Sequence, residues 1–294
     1  MNAPIEQFRA AMRIAGLTPP DAIEPDGLLH RFHVDGDRRG SRNGWYVIHP
    51  DGRAAGAFGS WKTGLSSTWA GDGKPMSQAE RKSFARLIEA ARQKAQAERQ
   101  AGYSARAVEA RTEWDAAVSA DPAHPYLIAK VVRPHSLRQI GAALIVPLFD
   151  LHRQLWNVQR IYADGSKRFR PGRAGGLYCP IGDLIAPTTI LICEGWATGA
   201  TLHEETGYPV LCAMNAGNLL PVATAARSAW PAAALVICAD SDRHTDGNPG
   251  LTAATAAARA TGARLIVPEF PDGVAGSDFN DLAAIRRKGV CHGT

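Results

Sequence analysis

Residues 189–202 read TILICEGWATGATL, and this stretch decides the fold. The apolar run Thr189–Cys193 ends in the carboxylate of Glu194, turns through Gly195 and enters a segment that we predict to be helical. Continuous apolar strands followed by helices are typical of parallel sheets covered on both faces. Ligands of such sheets bind beyond the carboxyl ends of the strands, so Glu194 lies where binding and active sites of these proteins usually lie.

The same alternation of strand and helix extends through the C-terminal half of the chain. Apolar runs predict strands at 144–149, 189–193, 209–213, 235–239 and 264–267. Helices are predicted between the last four of these strands, at 197–205, 219–229 and 251–260. We therefore expect an α/β domain built on a parallel sheet.

Two further acidic clusters follow predicted strands of this sheet. Asp240-Ser-Asp242 comes directly after the run 235–239, and Asp278-Phe-Asn-Asp281 stands before a last helix that we expect to begin near Asp281. Carboxylates are the hard ligands that Mg²⁺ and Mn²⁺ prefer. Each cluster alone is also compatible with turn or capping residues, and Asp281 could simply cap the last helix. Together, three clusters at strand ends of one sheet favour metal-assisted phosphoryl chemistry.

These motifs resemble a known family. Glu194-Gly195, the D-x-D pair Asp240 and Asp242, and the strand-helix spacing between them resemble the TOPRIM domain shared by primases, topoisomerases and some nucleases. The segment around Asp278 is similar to the tail motif of phage- and plasmid-type primases. The resemblance covers about residues 186–285 and extends less tightly over most of the chain.

The resemblance implies a DNA primase that makes short RNA primers on single-stranded DNA by metal-dependent nucleotidyl transfer. It implies that Glu194, Asp240 and Asp242 are the catalytic residues, with Glu194 as general acid or base. It also implies that the same three residues bind Mg²⁺ or Mn²⁺, with Asp278 and Asp281 as supplementary ligands. The implied partners are a single-stranded DNA template, ribonucleoside triphosphates and a separate replicative helicase. Two alternatives stay open: a TOPRIM nuclease and a non-catalytic nucleic-acid-binding or helicase-loading module.

Positive charge is clustered ahead of the acidic motifs. The formal net charge is +5, and the segment 153–173 carries six cations against the single carboxylate Asp164. This segment is predicted to be a hairpin that turns at Asp164-Gly165, with Lys167 and Phe169 on one face. It is either a solvated arginine hairpin or a phosphate-binding wall. In the second case the predicted binding residues are Arg160, Lys167, Arg168, Arg170 and Arg173.

The remaining segments complete a predicted order of four parts. Residues 1–75 form a small module with a helix at 4–16 and strands at 29–34, 44–49 and 55–58, and 76–120 form a helical connector. Residues 121–185 form a basic primase-type subdomain and 186–294 the TOPRIM domain. The first module is a candidate for template binding through Lys62 and its aromatic residues, which could equally be its core. No cysteine precedes Cys179, so we expect no zinc ribbon.

Two general features limit the class of protein. The apolar runs around Cys193, Cys212 and Cys238 predict buried structural thiols. No run approaches the roughly 20 apolar residues that a membrane span needs, and the N-terminus lacks a secretion signal. We therefore expect a cytoplasmic protein without a membrane partner.

Overall fold

The computed structural model describes residues 3–49, 54–72, 77–241, 245, 247–271 and 274–290. The chain divides into two compact units, Met1–Gln100 and Ala101–Thr294. The boundary lies within one long helix, Gln78–Ala116, the predicted connector. The predicted α/β fold with a parallel sheet is confirmed, whereas the finer division into four segments stays a prediction.

The first unit is a β-sheet with a helix on each face. Its elements in chain order are α1 (Ala3–Ile14), β1 (His30–Phe32), β2 (Gly44–His49), β3 (Ala55–Ser60), β4 (Leu65–Ala70) and the start of α2 (Gln78–Ala116). The strands are antiparallel in the order β1-β2-β3-β4. Strand β4, which we did not predict, lacks apolar alternation because Ser and Thr fill its centre.

Alternating side chains of β2 decide which helix covers which face of this sheet. Tyr46 and Ile48 pack with Phe8 of α1, whereas Trp45 and Val47 pack with Phe84 of α2. Successive strand residues point to opposite faces, so both sets can be buried at once. Most aromatic residues of this module are therefore its core.

The second unit begins with an antiparallel sheet that carries the basic hairpin. Its elements are β5 (Val118–Ser119), α3 (Pro125–Lys130), β6 (Arg138–Ile140), β7 (Ala143–Phe149), β8 (Leu155–Tyr162) and β9 (Lys167–Phe169). The strand order is β5-β6-β7-β8-β9. The predicted hairpin turn is confirmed: Gly165 has φ 82°, and Tyr162 N donates to Ser166 O. One face of the sheet packs on the last turns of α2 through Ala110 and Trp114.

The predicted parallel sheet follows. Its elements are β10 (Cys179–Ile181), β11 (Thr189–Cys193), α4 (Trp196–Thr206), β12 (Val210–Cys212), α5 (Leu219–Ala229), β13 (Ala234–Cys238), α6 (Pro249–Thr261), β14 (Arg264–Ile266) and α7 (Phe279–Val290). The order is β10-β12-β11-β13-β14, with only β10 antiparallel among the described strands. Helices α5 and α6 pack on one face of the sheet, and α4 packs on the other.

A row of cysteines crosses this sheet at the last residues of β12, β11 and β13. Cys179, Cys212, Cys193 and Cys238 are register partners on neighbouring strands, and all four are buried. Burial raises the pKa of the Cys238 thiol well above its ordinary value. The thiols therefore serve as small apolar packing groups, as the sequence predicted for the three in apolar runs.

In the part of the chain that the structure describes, no helix is both long and apolar enough to cross a membrane.

Candidate functional site

Parallel pairing brings the first two acidic residues to the same edge of the sheet. Cys193 is the register partner of Cys238, so Glu194 and Asp240 leave the sheet from adjacent strands. Backbone bonds hold both ends in place, since Met214 N donates to Glu194 O at 2.6 Å and Ala239 N donates to Ile266 O at 2.9 Å. Both carboxylates are half-buried, and both line one cleft.

Asp278 reaches the same cleft from the segment before α7. Thr198 Oγ1 in the first turn of α4 donates to Asp278 Oδ2 at 3.2 Å. Ser241 N donates to Ser277 O at 2.6 Å, which ties this segment to the end of β13. The three acidic clusters of the sequence therefore meet, through Glu194, Asp240 and Asp278, at one place.

The start of α7 differs from the prediction. The helix begins at Phe279, and its cap is Asp278, whose Oδ1 accepts a hydrogen bond from Asp281 N at 2.8 Å. Asp281 is already inside the first turn, where its carboxylate accepts from Ser277 N and lies 3.7 Å from Lys130 Nζ. The alternative that Asp281 caps the helix does not hold, because Asp278 directly precedes Phe279 and Asp281 is the third helical residue.

The cleft has a volume of about 170 Å³ and carries both signs of charge. Lys130 from the end of α3 and Lys167 from β9 line it together with the three carboxylates. Lys167 is an exposed residue, yet the pKa of its ammonium is lowered because nearby protein atoms displace water and Lys130 repels it. Asp278 and Asp240 act in the opposite direction on this pKa. The arrangement can hold an anionic group against a cation.

The residues present fit a hydrated divalent ion. The donors are carboxylate oxygens, which Mg²⁺ and Mn²⁺ prefer, and they line an open cleft that can admit an ion with its waters. Among the described residues, the oxygens of Glu194, Asp240 and Asp278 are not all within 4.8 Å of one another. An ion that keeps several of its waters, as Mg²⁺ usually does, suits such a spacing. Asp242, the second residue of the D-x-D pair, lies outside the described residues.

The basic hairpin points in two directions. Lys167 faces the cleft, whereas Arg168 pairs in register with Arg160 on the opposite face of the sheet. There Arg160 Nε donates to Glu113 of α2 at 2.6 Å, and the Arg170 guanidinium donates to Glu113 and Glu109. The predicted alternation of faces is confirmed. The structure does not bring Arg160, Arg168 or Arg170 to the cleft.

The remaining predicted binding residues also have partners of their own. The Arg173 guanidinium carbon lies 5.0 Å from the centre of the Trp156 ring. In the first unit, Lys62 Nζ lies 2.6 Å from Asp37 Oδ1, and this bond lowers the pKa of Asp37. Binding of nucleotide or nucleic acid by Arg173 and Lys62 stays a prediction.

Sequence reasoning missed several residues that build the cleft. Lys130 and Tyr126 come from α3, a short helix too brief to show a period, and Tyr126 is buried with its ring 6.0 Å from Lys167 Nζ. Asn280 Nδ2 donates to Lys130 O at 2.7 Å and to Thr201 Oγ1 at 2.9 Å. Asn280 therefore fixes α7 to α3 and α4. Asn280 belongs to the tail motif, but its structural role could not be predicted from that motif. The role depends on hydrogen bonds to residues about 80 and 150 positions away in the sequence.

Residues 189–289 match the family described as Toprim domain. The match spans the parallel sheet from β11 onward and all three acidic clusters. The resemblance predicted from the motifs is confirmed, and the chain carries a Toprim domain.

Curated relatives extend this similarity over most of the chain. The chain is 35% identical over 285 residues to a DNA primase TraC of Escherichia coli, covering 91% of this chain and 20% of that protein. A second DNA primase TraC of Escherichia coli is 34% identical over 295 residues, covering 92% of this chain and 27% of the relative. The chain thus spans between a fifth and about a quarter of the length of these relatives.

Among solved structures, the primase fragment of the bacteriophage T7 primase-helicase protein is similar with 15% identity and a TM-score of 0.43. That similarity covers 56% of this chain and 72% of the fragment.

Proposed function

We propose that this chain is the catalytic part of a DNA primase that joins ribonucleotides on a single-stranded DNA template. The observation that carries the proposal is the meeting of Glu194, Asp240 and Asp278 with Lys130 and Lys167 in one cleft of a Toprim domain. The TraC relatives are named DNA primases, which supports the same activity for the segment they share with this chain. Ribonucleoside triphosphates and the template are the proposed substrates, and a separate replicative helicase and a cytoplasmic location accompany the proposal.

The cleft divides the work between carboxylates and ammonium groups. Glu194 is suited to accept the proton of the attacking 3′ hydroxyl, since it lies at a strand end beside the groups that would hold a cation. Asp240 and Asp278, and by the motif Asp242, would hold Mg²⁺ or Mn²⁺. When bound, the ion supplies charge that stabilises the transferring phosphoryl oxygens. Lys130 and Lys167 would bind the triphosphate, since their ammonium groups line the cleft beside the carboxylates.

The test is synthesis from labelled ribonucleotides on single-stranded DNA with Mg²⁺ or Mn²⁺. We expect short oligonucleotides whose sequence depends on the template, and a rate loss of about 10²-fold or more in Glu194→Gln because positioned proton transfer typically contributes 10²–10⁴. Asp164→Asn is the matched control, since Asp164 is a carboxylate in the hairpin turn outside the cleft. It should retain the wild-type rate.

The same reactions separate the other readings. Shortening of the DNA without new oligonucleotides would point to a nuclease, and binding without either product would point to a non-catalytic module. Either outcome overturns the proposed primase activity.

A further inference from the structure

The first unit contains a cationic groove that none of the predicted site residues explains. It has a volume of about 400 Å³, in the range of ligand-binding pockets. Its lining residues include Arg31, Trp61, Arg92, Gln96 and Arg99. All of them belong to the unit Met1–Gln100.

Helical periodicity explains how one face of α2 builds a wall of this groove. Phe84 and Ile88 pack against the sheet, and Arg92, Gln96 and Arg99 continue the same face at spacings of three and four residues. The face therefore changes from apolar to cationic where it leaves the core of the module. Its polar part stays exposed in solvent.

Strand and turn residues build the opposite wall. The guanidinium carbon of Arg31 lies 4.6 Å from the centre of the Trp61 ring. Its Nε and Nη2 donate to Arg42 O at 2.9 and 2.6 Å, which fixes the plane of the guanidinium. Trp61 in turn stacks on the buried Trp45, with ring centres 6.3 Å apart. The wall thus presents a positioned cation beside an aromatic ring.

The cations of the groove repel one another in the absence of an anion. The pKa of Arg31 is lowered by burial first and then by the charges of Arg99 and Arg42, which outweigh the opposing effect of Glu98. Within the described residues, no carboxylate forms an ion pair with Arg31, Arg92 or Arg99. A phosphate bound here would relieve this repulsion.

We propose that this groove binds single-stranded DNA, with phosphates on the arginines and a base against the Trp61 side of the groove. Cations that follow a backbone together with aromatic rings are the usual means of binding single strands without sequence preference. Planar guanidinium groups also match phosphate oxygens better than lysine does. The choice of DNA rests on the proposed primase function, whereas the polyanion site itself rests only on the groove.

The test measures binding of a fluorescently labelled oligodeoxynucleotide by anisotropy in EDTA, so that catalysis plays no part. The variant Arg92→Gln/Arg99→Gln removes two groove charges from the exposed face of α2. Single-strand affinity falls with salt with a log-log slope of about −0.7 per phosphate contact. Loss of two contacts should make this slope shallower by about 1.4. Between 1 M and 0.1 M salt, the affinity of the variant should therefore rise about 25-fold less than that of the wild type.

The matched control is Arg86→Gln/Lys94→Gln, which removes the same charge from exposed positions of α2 that do not line the groove. It should keep the wild-type slope, and Arg92→Lys/Arg99→Lys should restore most of the affinity. Equal losses in the groove and control variants would overturn the proposal, as would unchanged DNA binding in the groove variant. A groove variant that keeps DNA binding but loses ATP binding would also contradict the proposal, because the groove would then bind nucleotides and not single-stranded DNA. Circular dichroism verifies that each variant keeps its helix content.

The synthesis reaction distinguishes failure of this proposal from failure of the proposed function. With saturating template, the groove variant should keep the wild-type kcat while its KM for template rises. Asp240→Asn should show the reverse, with normal DNA binding and no synthesis. If synthesis is absent in the wild type while DNA binding still depends on Arg92 and Arg99, the groove stands and the primase proposal fails.

Discussion

Gly199→Ala tests how closely α4 packs on the sheet directly beneath the cleft. A Cβ atom at position 199 would lie 2.3 Å from Cys212 Sγ and 3.2 Å from Cys193 Sγ. Non-bonded heavy atoms normally meet at about 3.5–4 Å, so Cys212 or α4 would have to move by more than about 1 Å. Both thiols are fully buried, which leaves them no solvent into which they can turn.

Two opposing effects give the expected change in the free energy of unfolding. Overpacking a well-packed core costs about 1–3 kcal/mol, whereas replacing a glycine inside a helix by alanine gains about 0.5–1 kcal/mol. We expect the free energy of unfolding to fall by about 1–2 kcal/mol, measured by urea denaturation.

Two further variants make this measurement specific. Gly102→Ala is the control within the same unit, because Gly102 lies in α2 and a Cβ there would meet nothing within 4 Å. It should stabilise by about 0.5–1 kcal/mol. Gly199→Ala/Cys212→Ala should recover part of the loss, since it removes the sulfur that clashes. If Gly199→Ala were as stable as Gly102→Ala, the packing of α4 described above would be incorrect.

Two other predictions concern side chains on either side of the hairpin sheet and cleft. Glu113→Gln should lower the free energy of unfolding by about 1–3 kcal/mol at pH 7, less than for a fully buried pair because Arg160 and Arg170 are partly exposed. Burial raises the pKa of Glu113, but the hydrogen bonds from the two arginines lower this pKa by more than burial raises it. The net pKa of Glu113 therefore lies below its ordinary value. The stabilisation by Glu113 is therefore present above pH 4.5 and is lost as the pH falls through the lowered pKa. Urea titrations should show a smaller difference in the free energy of unfolding between wild type and Glu113→Gln at pH 3 than at pH 7. Asp278→Ala should lose about 1 kcal/mol of stability because the helix cap is removed, whereas Asp278→Asn should keep the cap. Both variants should need more Mg²⁺ than the wild type for half-maximal synthesis. A normal Mg²⁺ requirement in both variants would show that Asp278 is not part of the metal site.

The strands and helices of the C-terminal half could be predicted closely because their signals are local. Strand β11 has the predicted bounds, and α5 occupies the predicted 219–229. The meeting of the acidic clusters followed from the rule that parallel strands end at one edge. Strand β10 could not be predicted, because three residues with a central Pro180 show neither period nor length.

The cleft's cations and the use of the arginines depend on long-range pairing that no local pattern contains. The hairpin pattern placed Lys167 and Arg170 on opposite faces, but it did not say which face meets the carboxylates. Arg160 and Arg170 face α2, where both form ion pairs with Glu113, so the other face of the hairpin meets the carboxylates. Lys130 is held at the cleft by the hydrogen bond from Asn280 to its carbonyl oxygen. The groove lined by Arg92 and Arg99 was hidden for a similar reason, since a charged helix face normally indicates only solvation.

The most direct test of the central claim is Mn²⁺ titration of the whole chain, followed by the electron paramagnetic resonance signal of the free ion. Loss of outer-shell partners typically weakens metal binding 10–100-fold, so loss of a direct ligand in Asp240→Asn should weaken it by at least about 10-fold. Asp164→Asn should bind Mn²⁺ as the wild type does. Equal affinity in wild type and Asp240→Asn would contradict a divalent-metal site formed by the carboxylates at this edge of the sheet.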